Sequence, residues 1–190
     1  MAIKFLDFAG GYGVFTRLMR NLGLPFYHYD KYTPNLFAKS FAADLNAQNN
    51  KYELITAIEA FEHFDAPLSQ ISELLKHTDH LLISTELLPA TKPLPGQWHY
   101  YALDHGQHIC FYSISTFEYL AKKFNLNFYT NGCDIHLLSK KKIPKFLFKL
   151  IVNYKIALFI RYAFKYPSLQ DKDQKTIDHF KSLQLNNGVN

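Results

Sequence analysis

A cluster of glycines near the N-terminus, Ala9-Gly10-Gly11-Tyr12-Gly13, separates two unlike stretches. Before it stands the apolar run Ile3-Lys4-Phe5-Leu6-Asp7-Phe8; after it, Val14 to Leu22 is amphipathic at helical spacing. That order predicts a strand, a tight loop and a helix. The glycines let the backbone turn sharply and approach a ligand closely, and the helix start offers N–H groups without intrahelical partners. A carboxylate, Asp30, follows roughly twenty residues on, where such folds bind a ribose. The stretch predicts a nucleoside-cofactor site, with the rest of the chain built on it.

The pattern continues in alternation. Gly23 and Pro25 end the first helix, and Phe26-Tyr27-His28-Tyr29 is a second strand closing on Asp30. Thr33-Pro34 opens a helix to about Lys39, and Phe41-Ala42-Ala43 is a brief third strand delivering Asp44. Asn46–Asn50 is a loop. Tyr52–Ile58 is a fourth strand, nearly continuous in apolar residues, as a buried parallel strand should be. Ala66–Lys76 is helical and His80–Thr85 is the fifth strand. A long loop with Pro89, Pro93, Pro95 and Gly96 runs to about Tyr112, too long to be filler in a compact domain. Ser113–Phe124 is a helix capped by Ser113 or Ser115, and Asn127–Thr130 pairs with Ile135–Ser139 around Asn131-Gly132. The fold class is therefore α/β: a Rossmann-like, mostly parallel, seven-stranded sheet with an antiparallel last strand and helices on both faces. Residues 1–139 form this domain, and 140–190 a basic helical C-terminal appendage.

With 48% hydrophobic and 19% charged residues the chain is globular, and its formal charge of +5 does not by itself imply nucleic acid. Cys110 and Cys133 make neither a disulfide framework nor a zinc site, which suits a reducing cytoplasm. The N-terminus enters the first strand at once, so no signal peptide is expected, and no run reaches transmembrane length.

The pattern Asp7-x-Ala9-Gly10-Gly11-x-Gly13 resembles the first motif of class I S-adenosylmethionine-dependent methyltransferases, with Ala9 where a glycine is usual. A dinucleotide fingerprint would need glycine or alanine at Thr16. The resemblance covers about 3–139. It implies S-adenosyl-L-methionine as cofactor, held by Asp7, Ala9, Gly10, Gly11 and Gly13, by Asp30 with Lys31 at the ribose, by Asp44 and Leu45 beside the adenine, and by Glu59. Leu54–Phe64 is similar to the strand-four motif of small-molecule methyltransferases, and Leu81–Thr85 to the strand that follows. Methyl transfer needs an aligned nucleophile and exclusion of water, and a hydroxyl acceptor also needs a base or a metal.

Two groups of residues answer that need. Glu59-x-x-Glu62-His63, on a helical turn, would converge on one face. A similar pattern holds magnesium or a related divalent ion in ubiquinone-pathway O-methyltransferases and small-RNA 2′-O-methyltransferases. Three alternatives stay open: Glu59, Glu62 and His63 as metal ligands, pocket residues without metal with His63 facing the substrate, or purely structural roles. The second group is the long loop from Trp98 to Ser113. Trp98, Tyr100, Tyr101 and Gln107 are the candidate acceptor-binding residues, and His63, His105 and His108 the candidate bases. Its Gly106-Gln107-His108-x-x-Phe111-Tyr112-Ser113 run resembles bacterial methyltransferases associated with surface-polysaccharide biosynthesis, which implies a small-molecule or glycan-type acceptor, a sugar hydroxyl first.

Beyond Lys140 the chain is basic and apolar. Lys149, Lys155, Arg161 and Lys165 break up any spanning stretch. The segment 143–166 is either an interfacial helix on anionic lipid or a helix packed on the domain or on a second subunit of a homodimer. Its lysines lie away from the aromatic loop, so no nucleic-acid partner is expected. The chain starts at the first strand, without the helices that usually cover this cofactor. The tail or another subunit is expected to cover it; otherwise the chain is a non-catalytic cofactor-binding module.

Overall fold

The computed structural model describes residues 3–47, 50–163 and 167–187. Six strands form one sheet: β1 (Phe5–Phe8), β2 (Phe26–Tyr29), β3 (Leu54–Ile58), β4 (His80–Ser84), β5 (Asn127–Thr130) and β6 (Ile135–Ser139), in the order β2-β1-β3-β4-β6-β5. The first four are parallel, and β6 runs antiparallel between β4 and β5. The chain leaves β1 toward β2 and returns on its other side as β3. That reversal makes a crevice at the C-terminal ends of β1 and β3, the place where open α/β sheets bind ligands.

Buried apolar side chains explain the centre of the sheet. Leu6, Ile55, Leu81, Ile83 and Leu138 are fully buried, and helices α2 (Pro67–Leu75) and α3 (Ile114–Lys123) contribute Ile71, Leu74, Phe117 and Leu120 to the same core. Helix α1 (Val14–Asn21) packs on β1 and β2. A capping box starts α3, with the Thr116 N–H donating to Ser113 Oγ and the Ser113 N–H to Thr116 Oγ1. The β5–β6 turn is held by Asn131, whose Oδ1 accepts from Cys133, Asp134 and Ile135.

Among the described residues the sheet has six strands, not seven. Phe41–Ala43 makes one parallel bridge, His28 to Ala42, and no strand. The expected helix from Thr33 is also absent; bends lead instead to a single 3-10 turn at Lys39–Phe41. Local bonds take the groups that a helix would use. Asp30 Oδ1 accepts from Tyr32 and Thr33, Leu36 and Phe37 both donate to the Tyr12 carbonyl, and Asn35 brackets Ala38 with two hydrogen bonds. In the expected Asn46–Asn50 loop, Gln48 and Asn49 lie outside the described residues.

After Lys140 come helices α4 (Lys145–Ile151), α5 (Tyr154–Ala163) and α6 (Gln170–Asn187). Phe164, Lys165 and Tyr166 of the expected tail helix lie outside the described residues. Ring packing and a buried ion pair are among the contacts that tie this region to the sheet domain. Phe148 of α4 is buried against Tyr129, with ring centroids 5.9 Å apart. Asp173 of α6 accepts two hydrogen bonds from the Arg20 guanidinium of α1, at 2.9 and 2.7 Å.

Candidate functional site

The site is built from three chain segments that leave adjacent strands at the crevice. The first is the loop after β1. Gly10 is needed for contact: a Cβ there would overlap the Asp7 carboxylate and approach His28 Cδ2 to 2.9 Å. Gly13 has φ +87°, and its Cβ would lie 2.7 Å from Asn35 Oδ1. Ala9 also sits at positive φ, 56°, so the departure from glycine at this position is carried in a left-handed backbone.

Asp7 does not line the outer face of this loop. It lies beneath it, 1% exposed, accepting the Thr16 hydroxyl at 3.0 Å. Burial pushes its carboxyl from 3.8 up to about 6, against the opposing effects of Thr16 and His28. The folded protein therefore holds this proton over a range where the unfolded chain has released it. The contribution of Asp7 to stability is complete below pH 3.8 and is lost as pH rises to about 6, about 3 kcal/mol in all. Asp7→Asn, which keeps an acceptor for Thr16, is expected to be more stable than the parent by up to about 3 kcal/mol near neutral pH, the gap closing by about pH 4. Urea unfolding of the pair at both pH values checks this.

Asp30 ends β2 and ties the second segment to the first. Its Oδ2 accepts the Gly11 N–H at 2.9 Å, and its Oδ1 accepts Tyr32 at 2.8 Å and Thr33 at 2.7 Å. Each oxygen keeps acceptor capacity toward the crevice. Lys31 is exposed beside it. Asp44 is exposed and its Oδ1 accepts the Asn46 N–H, while Leu45 packs half-buried on the core.

The third segment follows β3. Glu59 takes a left-handed φ of 48°, so Glu59, Glu62 and His63 do not share one helical face; only Phe61–His63 forms a 3-10 turn. Glu59 Oε1 accepts the Ser84 hydroxyl and Oε2 accepts the Tyr100 hydroxyl at 3.0 Å. Thr85 Oγ1 lies 3.1 Å from the same Tyr100 hydroxyl, which completes a chain from β4 to Glu59. Burial raises the Tyr100 phenol above its ordinary range, so it acts as a donor.

Glu62 turns inward. It is fully buried, and among the described residues neither carboxylate oxygen has a hydrogen-bond partner. Burial holds its carboxyl above the ordinary range, and the Glu59 charge acts in the same direction. One ligand atom each from Glu62, His63 and His108 lie within 4.8 Å of one another. His63 Nδ1 donates to the Gln107 carbonyl at 2.9 Å, and His108 Nδ1 to the Tyr100 carbonyl at 2.7 Å. A carbonyl only accepts, so both Nδ1 atoms carry the proton and both Nε2 atoms are the basic ones in the neutral rings. The Glu62 carbonyl accepts the N–H groups of Ile109 and Cys110, which anchors the long loop over this turn.

His105 is exposed on that loop, outside the cluster. Trp98 is tied by its indole N–H to Glu86 at 3.1 Å, and its ring packs with those of Tyr100, Tyr101 and Phe111. Tyr101 donates to the Pro93 carbonyl. The aromatic residues thus build a wall by packing on one another. Sequence reasoning missed the supports of the site: His28, bonded to the Gly11 carbonyl at 2.8 Å, and Ser84, Thr85 and Glu86, which follow one another out of β4. The signal available was their position at the C-terminal end of a parallel strand. A cleft of about 670 Å³ lies at the opposite end of the strands, lined by Lys4, Lys51, Tyr52, His77, His80 and Lys141, away from all of these residues.

A family model described as "Methyltransferase domain" matches residues 2–131. No curated protein matches this chain in sequence. Among solved structures it is similar to an O-methyltransferase family 2 protein from Planctomyces limnophilus in complex with apigenin, at 16% identity over 73% of this chain and 50% of that one, TM-score 0.56. An O-methyltransferase family protein from Burkholderia thailandensis is similar at 15% identity, over 75% and 52%, with TM-score 0.57. Human N-acetylserotonin methyltransferase in complex with SAM is similar at 16%, over 73% and 48%, with TM-score 0.51. At these identities the likeness is one of fold, and the chain spans about half the length of each.

Proposed function

We propose, since this chain belongs to the methyltransferase-domain family, that it moves a methyl group from S-adenosylmethionine to a hydroxyl oxygen of a small or carrier-linked acceptor, a sugar hydroxyl first. The observation that carries the proposal is the convergence of the glycine loop and Asp30 with Glu59, His63 and His108 at the C-terminal ends of neighbouring strands. When bound, S-adenosylmethionine supplies a methyl on a positively charged sulfur that an oxygen can displace. The chain's residues supply the rest. Asp30 accepts from the ribose hydroxyls on oxygens already aimed by Gly11, Tyr32 and Thr33. Asp44 and Leu45 flank the adenine, and the glycine loop lets backbone come close to the methionine portion. Glu59, fixed by Ser84 and Tyr100, is a preset acceptor between cofactor and substrate. The Nε2 of His63 or His108 takes the acceptor's proton as the new O–C bond forms. Trp98 and Tyr101, half-buried, offer the flat faces against which a sugar packs, while Tyr100 is buried behind them and serves through its hydroxyl. The loop's resemblance to polysaccharide-associated methyltransferases supports the sugar.

A second reading has Glu62, His63 and His108 holding a divalent ion. The buried carboxylate without a partner favours it, because such a group is otherwise costly. The donor set of one carboxylate and two imidazoles suits zinc or manganese better than magnesium, which takes oxygen ligands. A bound ion would supply Lewis acidity that eases loss of the acceptor proton.

One assay separates the two: transfer of labelled methyl from S-adenosylmethionine to a panel of sugar alcohols and glycans. The base reading expects turnover that survives excess chelator and falls about 100-fold or more in either His63→Ala or His108→Ala, the variant that falls marking the base. The metal reading expects turnover lost to chelator, restored by added ion, and abolished in Glu62→Gln. Cofactor binding with no transfer to any acceptor contradicts both and marks a non-catalytic module.

A further inference from the structure

The region between β6 and α6 carries a surface that the reaction does not use. From Ile135 to Gln170 the sequence has no acidic residue, while lysines recur at 140, 141, 142, 145, 149 and 155. Helix α4 buries one side chain, Phe148, under which Tyr129 lies; the Tyr129 hydroxyl also accepts the Ile143 N–H at 2.7 Å. That anchor fixes the helix with its other apolar residues outward. Phe146 is 73% exposed, and Leu150 and Ile151 are exposed with it. On α5, Leu158 and Phe159 are exposed, Phe159 at 69%, and Tyr154 stands exposed at its start. Lys142, Lys145, Lys149 and Lys155 are exposed among them.

We infer that this face docks on an anionic bilayer surface. Exposed apolar side chains of this size, recurring over two successive helices, mark an interaction site. The surrounding charge decides the partner. A second copy seated on the same face would set lysines against lysines, with no carboxylate in the segment to offset them. Anionic headgroups complement those lysines, and the acyl boundary takes the phenylalanines and leucines. Short helices of 7 and 10 residues fit a position in the interface plane. Among the described residues no helix is long and apolar enough to cross a membrane.

Flotation of the full chain with vesicles tests this, using phosphatidylcholine alone or with added phosphatidylglycerol. The expected result is binding to the phosphatidylglycerol vesicles at least about tenfold above neutral ones, weakened by salt. Lys145→Gln with Lys149→Gln is expected to weaken it about 25-fold, at about fivefold per lysine. Leu158→Ser with Phe159→Ser is expected to abolish it while the thermal midpoint by circular dichroism stays unchanged. No binding to either vesicle overturns the inference, as does binding that the Leu158/Phe159 variant leaves intact. A dimer in light scattering that this variant dissociates, without flotation of the parent, assigns the face to a second copy instead.

Discussion

Asp30→Ala is expected to weaken binding of S-adenosylmethionine by about 100-fold or more and to leave the protein folded. Two losses add up. The first is direct: the carboxylate is the acceptor proposed for the ribose hydroxyls, and a hydrogen bond to a charged group contributes about 1.5–3 kcal/mol. The second is structural. Asp30 is the clasp between the β1 and β2 loops, accepting from Gly11, Tyr32 and Thr33. Without it the Gly11 amide loses its partner and the glycine loop its fixed geometry. Asp30→Asn keeps one acceptor oxygen and is expected to recover part of the affinity. Asp44→Ala, at an exposed carboxylate with one local bond, is expected to cost far less. Titration calorimetry on the three variants orders them, and thermal melting confirms that each is folded.

Asp173→Ala is expected to destabilise the fold by about 3–5 kcal/mol, the range for breaking one side of a buried ion pair. Asp173 is 1% exposed and Arg20 6%. Their contact is bidentate, and Arg17 adds a third approach at 3.4 Å. With Asp173 gone, Arg20 keeps the Phe26 carbonyl at 2.8 Å and the face of Phe41, 3.5 Å from its ring centroid, but among the described residues no countercharge at bonding distance. The Leu169 N–H also donates to the Arg20 carbonyl, so the start of α6 is held to the end of α1 by backbone as well as side chain. Urea unfolding measures the loss. Replacing both partners, with Arg20→Met and Asp173→Leu, is expected to restore much of it, because no charge is then left buried. A loss under about 1 kcal/mol in the single variant would mean that α6 does not dock there.

These two residues also show where sequence reasoning reached and where it stopped. The place of Asp30 at the end of β2 was legible because a short apolar run and a carboxylate at the expected distance from the glycines are local signals. The same holds for β2, found at Phe26–Tyr29 as expected, and for the Asn131-Gly132 hairpin and the Ser113 cap. Asp173 was not legible: its partner lies 153 positions away, and nothing near it in sequence marks it as buried. The stretch 33–43 misled for a related reason. Thr33-Pro34 is a sound helix start, but side chains of Asp30 and Asn35 captured the backbone before a helix could form.

The cluster after β3 was half legible. Glu62 and His63 stood out as neighbours able to share a site. That Glu59 turns away depends on its left-handed φ, and that His108 takes its place depends on the long loop folding back onto the Glu62 carbonyl. Neither follows from helical spacing. The lysine-rich helices past 140 were visible as a composition change, while the exposure of their apolar residues became clear only from how little of α4 and α5 the domain covers.

The central claim is that the crevice at β1, β2 and β3 is a cofactor site organised by Asp30. Titration calorimetry of the parent chain with S-adenosylhomocysteine tests it most directly. Saturable one-to-one binding is expected, reduced about 100-fold or more in Asp30→Ala. No binding by the folded parent, or binding that Asp30→Ala leaves unchanged, would contradict it.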